Sequence, residues 1–365
     1  MDQKQARASR QIVIGKIAVG GGAPITVQSM TKCDTRNVEA TVAEINYLEQ
    51  CGCDLIRVAV KDMEAATAIR AIKSKTTLPL IADIHFDYRL AISCIDNGID
   101  GLRINPGNIG SRQRIAAVVE KAKERSVPIR IGVNAGSLES SIREKFGISA
   151  SGLVESALAH VAILEAMKFY DIKISLKAAH VPMMIQAYRD IAQKVDYPLH
   201  LGVTEAGTIR MGTIKSAIGI GALLADGIGD TIRVSLTAPP REEVRAAIDI
   251  LHALGIRSHR PELISCPTCG RCEVDLFKIV EKVETALENM HNPIKVAVMG
   301  CVVNGPGEAQ QADVGLAAGK GCGIIFSRGK QPKKVSEDDM INALLSEIRE
   351  ITSIKSVLTT GREEE

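Results

Sequence analysis

The chain has 365 residues, 45% hydrophobic and 24% charged, a balance that excludes a mostly disordered polypeptide and supports a sizeable buried core. Its 45 Lys+Arg against 43 Asp+Glu leave +2, so no global field recruits nucleic acid or an anionic membrane. Aromatics at 3% without Trp offer no stacking platform for single strands, and no apolar run nears the ~20 residues of a membrane span. MDQKQARASR lacks the apolar core of a secretory signal, and nine cysteines, an odd number, argue against a disulfide framework. A cytoplasmic protein is expected.

Along the chain, short apolar segments alternate with helical ones. Glycine-rich GKIAVGGG (15–22) precedes the first strand and is read as a turn, not a nucleotide loop. Strands are expected at ITVQSM (25–30), DLIRVAV (54–60), LPLIADIH (78–85) and GLRIN (101–105). They continue at PIRIGVN (128–134), DIKISLK (171–177), PLHLGVT (198–204) and DTIRVSL (230–236). Eight strand–helix units over about 240 residues match a (β/α)₈ barrel of the TIM type in number and size. The chain is accordingly divided into a barrel over 1–258 and a smaller α/β domain over 259–365.

Alternation within the strands supplies the first chemical signal. Ile129, Ile131 and Val133 oppose Arg130, Gly132 and Asn134; Ile172, Ile174 and Leu176 oppose Lys173, Ser175 and Lys177. The apolar set of a barrel strand packs on helices, so the polar set faces the axis. Barrel interiors are ordinarily filled by branched apolar residues; this one is polar on strand after strand. Arg57, Arg103, Arg130, Lys177 and Arg233 converge near the C-terminal mouth, where buried cations require an anion. Asp83 and Glu205 are available to neutralise part of the set. The functional reading is a site for a small multiply charged anion such as a diphosphate, with Asn105, Asn134, Thr204 and Ser235 adding neutral hydrogen bonds. Glu205, where its strand meets its loop, is either a proton donor or the partner of an arginine. His85 and His200 face inward as hydrogen-bonded core residues.

The C-terminal third carries Cys266, Cys269, Cys272, Cys301 and Cys322. SCPTCGRC brings two thiolates of a C-x₂-C within reach of one metal, and Cys301 follows the apolar strand KVAVM. Soft thiolates suit zinc or an iron–sulfur cluster. The absence of a second C-x₂-C or a Cys₂His₂ set favours the cluster. Cys272 and Cys322 are read as buried thiols, as are Cys33, Cys51, Cys53 and Cys94 in the barrel. VDLFKIVEKVETALENM and SEDDMINALLSEIREI read as helices, the latter capped by Ser336, while TTGREEE is expected to fray.

The ordered motifs VQSMT, IRVAV, ADIHFDY, LRINPGNIG, VTEAG, SCPTCGR, VAVMGCVVNGPGEA and ADVGLA closely resemble the bacterial-type, two-domain 4-hydroxy-3-methylbut-2-enyl diphosphate synthase family of the non-mevalonate isoprenoid pathway. The resemblance runs essentially from end to end. It implies a barrel followed by a domain carrying a [4Fe–4S] cluster, held by Cys266, Cys269, Cys301 and Glu308. It also implies reductive ring opening and dehydration of 2-C-methyl-D-erythritol 2,4-cyclodiphosphate. Substrate-binding positions map onto Arg57, Arg103, Arg130, Asn134, Lys177, Thr204, Arg233 and Ser235. Glu205 and Glu308 map onto catalytic positions. The implied partners are flavodoxin or ferredoxin as electron donor and a second copy of the chain in a head-to-tail homodimer.

Overall fold

Two short strands, β1 (Ile12–Ile14) and β2 (Ile17–Val19), open the computed structural model. It describes residues 6–105, 109–257, 260–287, 290, 292–301, 307 and 312–360, with side chains to 353. The eight expected strands follow: β3 (Thr26–Met30), β4 (Leu55–Ala59), β5 (Leu80–Asp83), β6 (Gly101–Ile104), β7 (Ile129–Asn134), β8 (Ile172–Lys177), β9 (His200–Leu201) and β10 (Thr231–Ile232). They lie in one parallel sheet in the order β8-β7-β6-β5-β4-β3-β10-β9. An isolated parallel bridge between Ile174 of β8 and Leu199, just before β9, brings the two ends of the sheet together into a nearly closed ring. Near-closure leaves little sheet edge to manage.

The outward residues explain why helices cover this ring. Val58, Ala82, Ile104, Ile131, Ile174, Leu201 and Ile232 are fully buried against them. In Met63–Lys73, for example, Ala65, Ala66, Ile69 and Ile72 form one buried stripe, and the Asp62 carboxylate caps the helix by accepting from Ala65 N at 2.9 Å. The helix Val181–Ala192 staples the closure itself. Its Tyr188 hydroxyl accepts from Leu176 N of β8 at 3.0 Å and donates to the carbonyl of His200 on β9.

Two expectations need correction here. The segment read as a simple turn contains half of the β1–β2 hairpin, which reverses at Gly15 with φ of 60°. Ile12, Ile14 and Val19 pack on Leu55 and Ile81 and plug the N-terminal end of the barrel. The strands expected at 198–204 and 230–236 are shorter, His200–Leu201 and Thr231–Ile232, with Arg233 N still donating to the Leu201 carbonyl at 2.9 Å. A Cβ at Gly202 would lie 2.5 Å from the Arg233 carbonyl.

The chain divides into two compact units, Met1–Ile256 and Arg257–Glu365; residues 258 and 259, the expected junction, lie outside the described residues. The second unit is a five-stranded mixed sheet: β11 (Glu262–Ser265), β12 (Lys295–Met299), β13 (Val314–Gly319), β14 (Cys322–Ser327) and β15 (Lys333–Ser336), in that order. The first three run parallel and the last two pair antiparallel. Helices Leu276–Leu287 and Met340–Thr360 bury Val283, Leu287, Leu344 and Ile348 on Val296, Val298 and Leu316. Ser336 ends β15 instead of capping the last helix, and Asp339, whose carbonyl accepts from Ala343 N, stands immediately before that helix. The tail GREEE lies outside the described residues. No helix among the described residues is long and apolar enough to cross a membrane.

Candidate active site

Strand register brings the inward cations into one cavity. Pairing sets Met30 beside Arg57, Asp83 beside Arg103, and Arg103 beside Arg130. The cavity, of about 160 Å³, is lined by Arg57, Asp83, His85, Arg103, Arg130, Asn134, Ser175, Lys177, Thr204, Arg233 and Ser235. The eight positions carried over by the family resemblance are among them, whereas Asn105, also expected to hydrogen-bond the anion, is buried but does not line this cavity. Two inward glycines make the room. A Cβ at Gly132 would sit 2.5 Å from Arg103 Nε, and one at Gly202 would sit 3.2 Å from Lys177 Nζ.

Few carboxylates answer these cations. Asp83 accepts from Arg103 Nη1 at 3.2 Å and lies 3.5 Å from Arg57 Nε. Arg57 turns its Nε and Nη2 to the Met30 thioether at 3.2 and 2.9 Å, a weak acceptor for a charged donor. Arg233 Nη2 lies 3.4 Å from Glu243, whose other oxygen accepts from Leu236 N at 3.0 Å and faces Lys32 Nζ at 3.3 Å. Glu243 is only 2% exposed, and strand periodicity carries no sign of it. It sits in the first turn of the helix Pro240–Ala253, where an acid ordinarily reads as a solvated dipole partner. Glu205 is exposed beside Thr204, with φ of 52°, in the left-handed region where a non-glycine residue stores strain.

The crowding of buried positive charge shifts Asp83, Arg57, Arg130 and Lys177. Burial alone would raise the Asp83 carboxyl, yet Arg57, Arg103 and Arg130 hold it down at about 2. Burial, only partly offset by Asp83, lowers Arg57 to about 10. Burial first, then repulsion from Arg57 and Arg103, pushes Arg130 far down; burial and Arg233 do the same to Lys177. A guanidinium does not discharge in a protein, so this penalty is expressed as affinity for an anion. His85, expected as a core residue, is instead exposed at the cavity, 3.9 Å from Asp83, while His200 is fully buried as expected, with Nδ1 2.7 Å from Thr231 Oγ1.

In the second unit, β11 and β12 run parallel, so the residues that follow them, Cys266 and Gly300–Cys301, emerge at one end of the sheet. Gly300 N donates to Cys266 Sγ at 3.3 Å, and a Cβ on Gly300 would lie 2.7 Å from Cys272 Sγ. Cys272 N donates to the Cys269 carbonyl at 2.9 Å, closing a turn that exposes Cys269. Immediately before the turn Thr268 has φ of 65°, an uncommon conformation for a β-branched residue. Among the described residues no group of three or more His, Cys, Asp or Glu stands close enough to hold a metal ion; Glu308 lies outside the described residues. The soft donors gathered around Gly300 suit iron–sulfur chemistry. Cys53 and Cys94 are buried in the barrel, where burial pushes the Cys94 thiol up to about 12, whereas Cys33, Cys51 and Cys322 are half-buried.

The GcpE TIM-barrel domain matches residues 9–248, and the GcpE protein C-terminal domain matches 262–350. Similar relatives carry the name 4-hydroxy-3-methylbut-2-en-1-yl diphosphate synthase (flavodoxin). That of Dehalococcoides mccartyi is 56% identical over 342 residues, covering 94% of this chain and 98% of its own. The Geobacter sulfurreducens relative is 56% identical over 348 residues, covering 95% of this chain and 99% of its own. The Caldanaerobacter subterraneus relative is 57% identical over 349 residues, covering 95% and 98%.

Proposed function

The chain belongs to the GcpE family, and on that premise we propose that it converts 2-C-methyl-D-erythritol 2,4-cyclodiphosphate to (E)-4-hydroxy-3-methylbut-2-enyl diphosphate in the non-mevalonate isoprenoid pathway. The observation that carries the substrate assignment is the cavity in which Arg57, Arg103, Arg130, Lys177 and Arg233 meet. It supports a diphosphate because each charge-assisted hydrogen bond contributes about 1.5–3 kcal/mol, and forked guanidinium groups match phosphate oxygens. In this reading Asn134, Thr204 and Ser235 hold the remaining oxygens. Glu205, at the rim, donates a proton to the substrate hydroxyl that leaves as water, while the ring oxygen stays on the diphosphate when its bond to carbon breaks. The strained backbone at Glu205 supports that role, since strain is retained where it orients a working side chain.

The reading includes a [4Fe–4S] cluster held by Cys266, Cys269, Cys301 and Glu308. Thiolates are the ordinary ligands of such clusters, and a carboxylate is a weaker ligand that a substrate oxygen can displace. Bound there, the cluster would supply two electrons, one at a time. Flavodoxin, named for the relatives, is favoured over ferredoxin as their source. A head-to-tail homodimer and a cytoplasmic location belong to the same reading.

The test is anaerobic purification followed by iron, sulfide and zinc analysis and turnover of the cyclodiphosphate with reduced flavodoxin. Four irons per chain and formation of the allylic diphosphate are expected. A colourless, zinc-loaded, inactive protein overturns the reading in favour of a binding barrel with a structural zinc domain.

A further inference from the structure

Below the diphosphate cavity the barrel interior holds polar side chains that the proposed reaction leaves unused. Register sets Lys173 of β8 beside Arg130 of β7, and Thr231 of β10 beside both His200 of β9 and Thr26 of β3. Lys173 is 2% exposed, Gln28 1% and His200 0%. Lys173 Nζ, both amide atoms of Gln28, His200 Nε2, and Nε and Nη1 of Arg130 find no hydrogen-bond partner among the described residues. Buried polar atoms are almost always satisfied, and charged donors most of all.

Charge decides what satisfies them. The carboxylates that act on this interior are Asp83 and Asp230. Asp83 is engaged by Arg57 and Arg103. Asp230 accepts from Ser9 Oγ and Leu199 N, each at 2.7 Å, and lies 3.8 Å from Arg7. Neither bonds Lys173 or Arg130, which stand side by side with like charge. Size narrows the choice further. A cavity of about 10 Å³ touches Arg130 and Lys173 and is otherwise walled by apolar residues and backbone, including Ile12 and Ile14 of the plugging hairpin. It is at the lower limit for a single water-sized body, so a monatomic anion enters with a small outward shift of the Lys173 or Arg130 side chain, and phosphate or sulfate does not.

We propose that Arg130 and Lys173 bind a small monovalent inorganic anion, chloride in ordinary buffers, inside the barrel and apart from the diphosphate cavity. The anion relieves the repulsion between the two cations and lets Lys173 keep the proton that burial and Arg130 otherwise push off. Arg130 is shared between the two sites, so the internal ion also steadies a guanidinium used for substrate. Lys173 does not line the upper cavity, which makes it the residue that separates them.

The experiment uses the full chain. Thermal unfolding is compared in potassium chloride and potassium gluconate at equal ionic strength, for the native chain and for Lys173→Met. Chloride is expected to raise the native Tm by about 2–4 °C, the shift produced by a ligand at a few times its Kd. Lys173→Met should abolish that difference. Native crystals grown in bromide should show an anomalous peak between Arg130 and Lys173, a readout that stands even if the variant fails to fold. Equal Tm in the two salts, or a bromide-free interior, overturns the proposal. A chloride effect that survives Lys173→Met overturns it too, by assigning the ion to the upper cavity.

Discussion

At the barrel mouth, five cations arrive from five different strands or their immediate ends, and each is braced by the ring that carries it. Around Gly300 the donors are arranged differently. Cys266, Cys269 and Cys272 come from one seven-residue stretch, with Cys301 from the end of the next strand. The mouth is a preformed charge trap whose geometry follows from strand register. The cysteine turn is a short local loop with a strained Thr268, and such sites gain much of their order from the metal they bind. A site spread across a nearly closed sheet keeps its shape without its ligand, whereas a local one depends on it.

The largest expected effect follows from that contrast. Cys301→Ala should abolish iron retention and reductive turnover while leaving the barrel's far-UV circular dichroism and its affinity for inorganic pyrophosphate unchanged. Loss of pyrophosphate binding in that variant would show that the two sites are not independent. Next, Arg57→Ala or Arg233→Ala should raise KM about 10–100-fold, the equivalent of one charge-assisted contact, with iron content unaltered. Native KM in both variants would remove the mouth from the diphosphate assignment.

Smaller effects probe how tightly each region is built. Gly132→Ala places a methyl group 2.5 Å from Arg103 Nε, so urea titration should show about 1–3 kcal/mol of lost stability. A proton count sharpens the electrostatics. The free barrel depresses Lys177 through burial and Arg233, and a diphosphate favours the charged form. Binding should therefore take up a proton once the pH exceeds the free-state pKa of Lys177, and affinity should fall as pH rises through it. Calorimetry in buffers of different ionisation enthalpy measures that uptake, and a constant heat across buffers would refute it. The smallest change is expected at Thr268→Gly, where relief of the left-handed backbone and the added chain entropy of glycine nearly cancel, within about 1 kcal/mol by thermal unfolding.

The alternation of residues such as Ile129, Ile131 and Val133 against Arg130, Gly132 and Asn134 made the inward face of each strand legible without coordinates. A period of two has one physical meaning on a half-apolar strand. Arg57, Arg103, Arg130, Asn134, Lys177, Thr204, Arg233 and Ser235 line the cavity as that reading expected, with Asp83 as a neutralising partner, while Asn105, expected with them, does not. Other features were not legible in this way. Glu243 lies on a helix outside the ring, and nothing local distinguishes an acid that reaches Arg233 from one that faces water. The β1–β2 hairpin is too short to announce itself, and its role as a plug exists only because Leu55 and Ile81 end the barrel there. Ser336 looked like a helix cap because serine caps are common, but pairing with Cys322 across β14 and β15 claimed it for a strand.

By itself, then, the chain's sequence determined the class of each region: a barrel with a polar interior, and a cysteine-bearing α/β unit with soft donors at metal spacing. These are local properties, written in periodicity and spacing. Tertiary structure alone decided the balance of charge. Whether a buried cation meets Asp83, Glu243, a thioether or no protein partner depends on register between strands and on helices distant in sequence. Coulomb and desolvation energies depend on separation and burial in space, and neither is set by order along the chain.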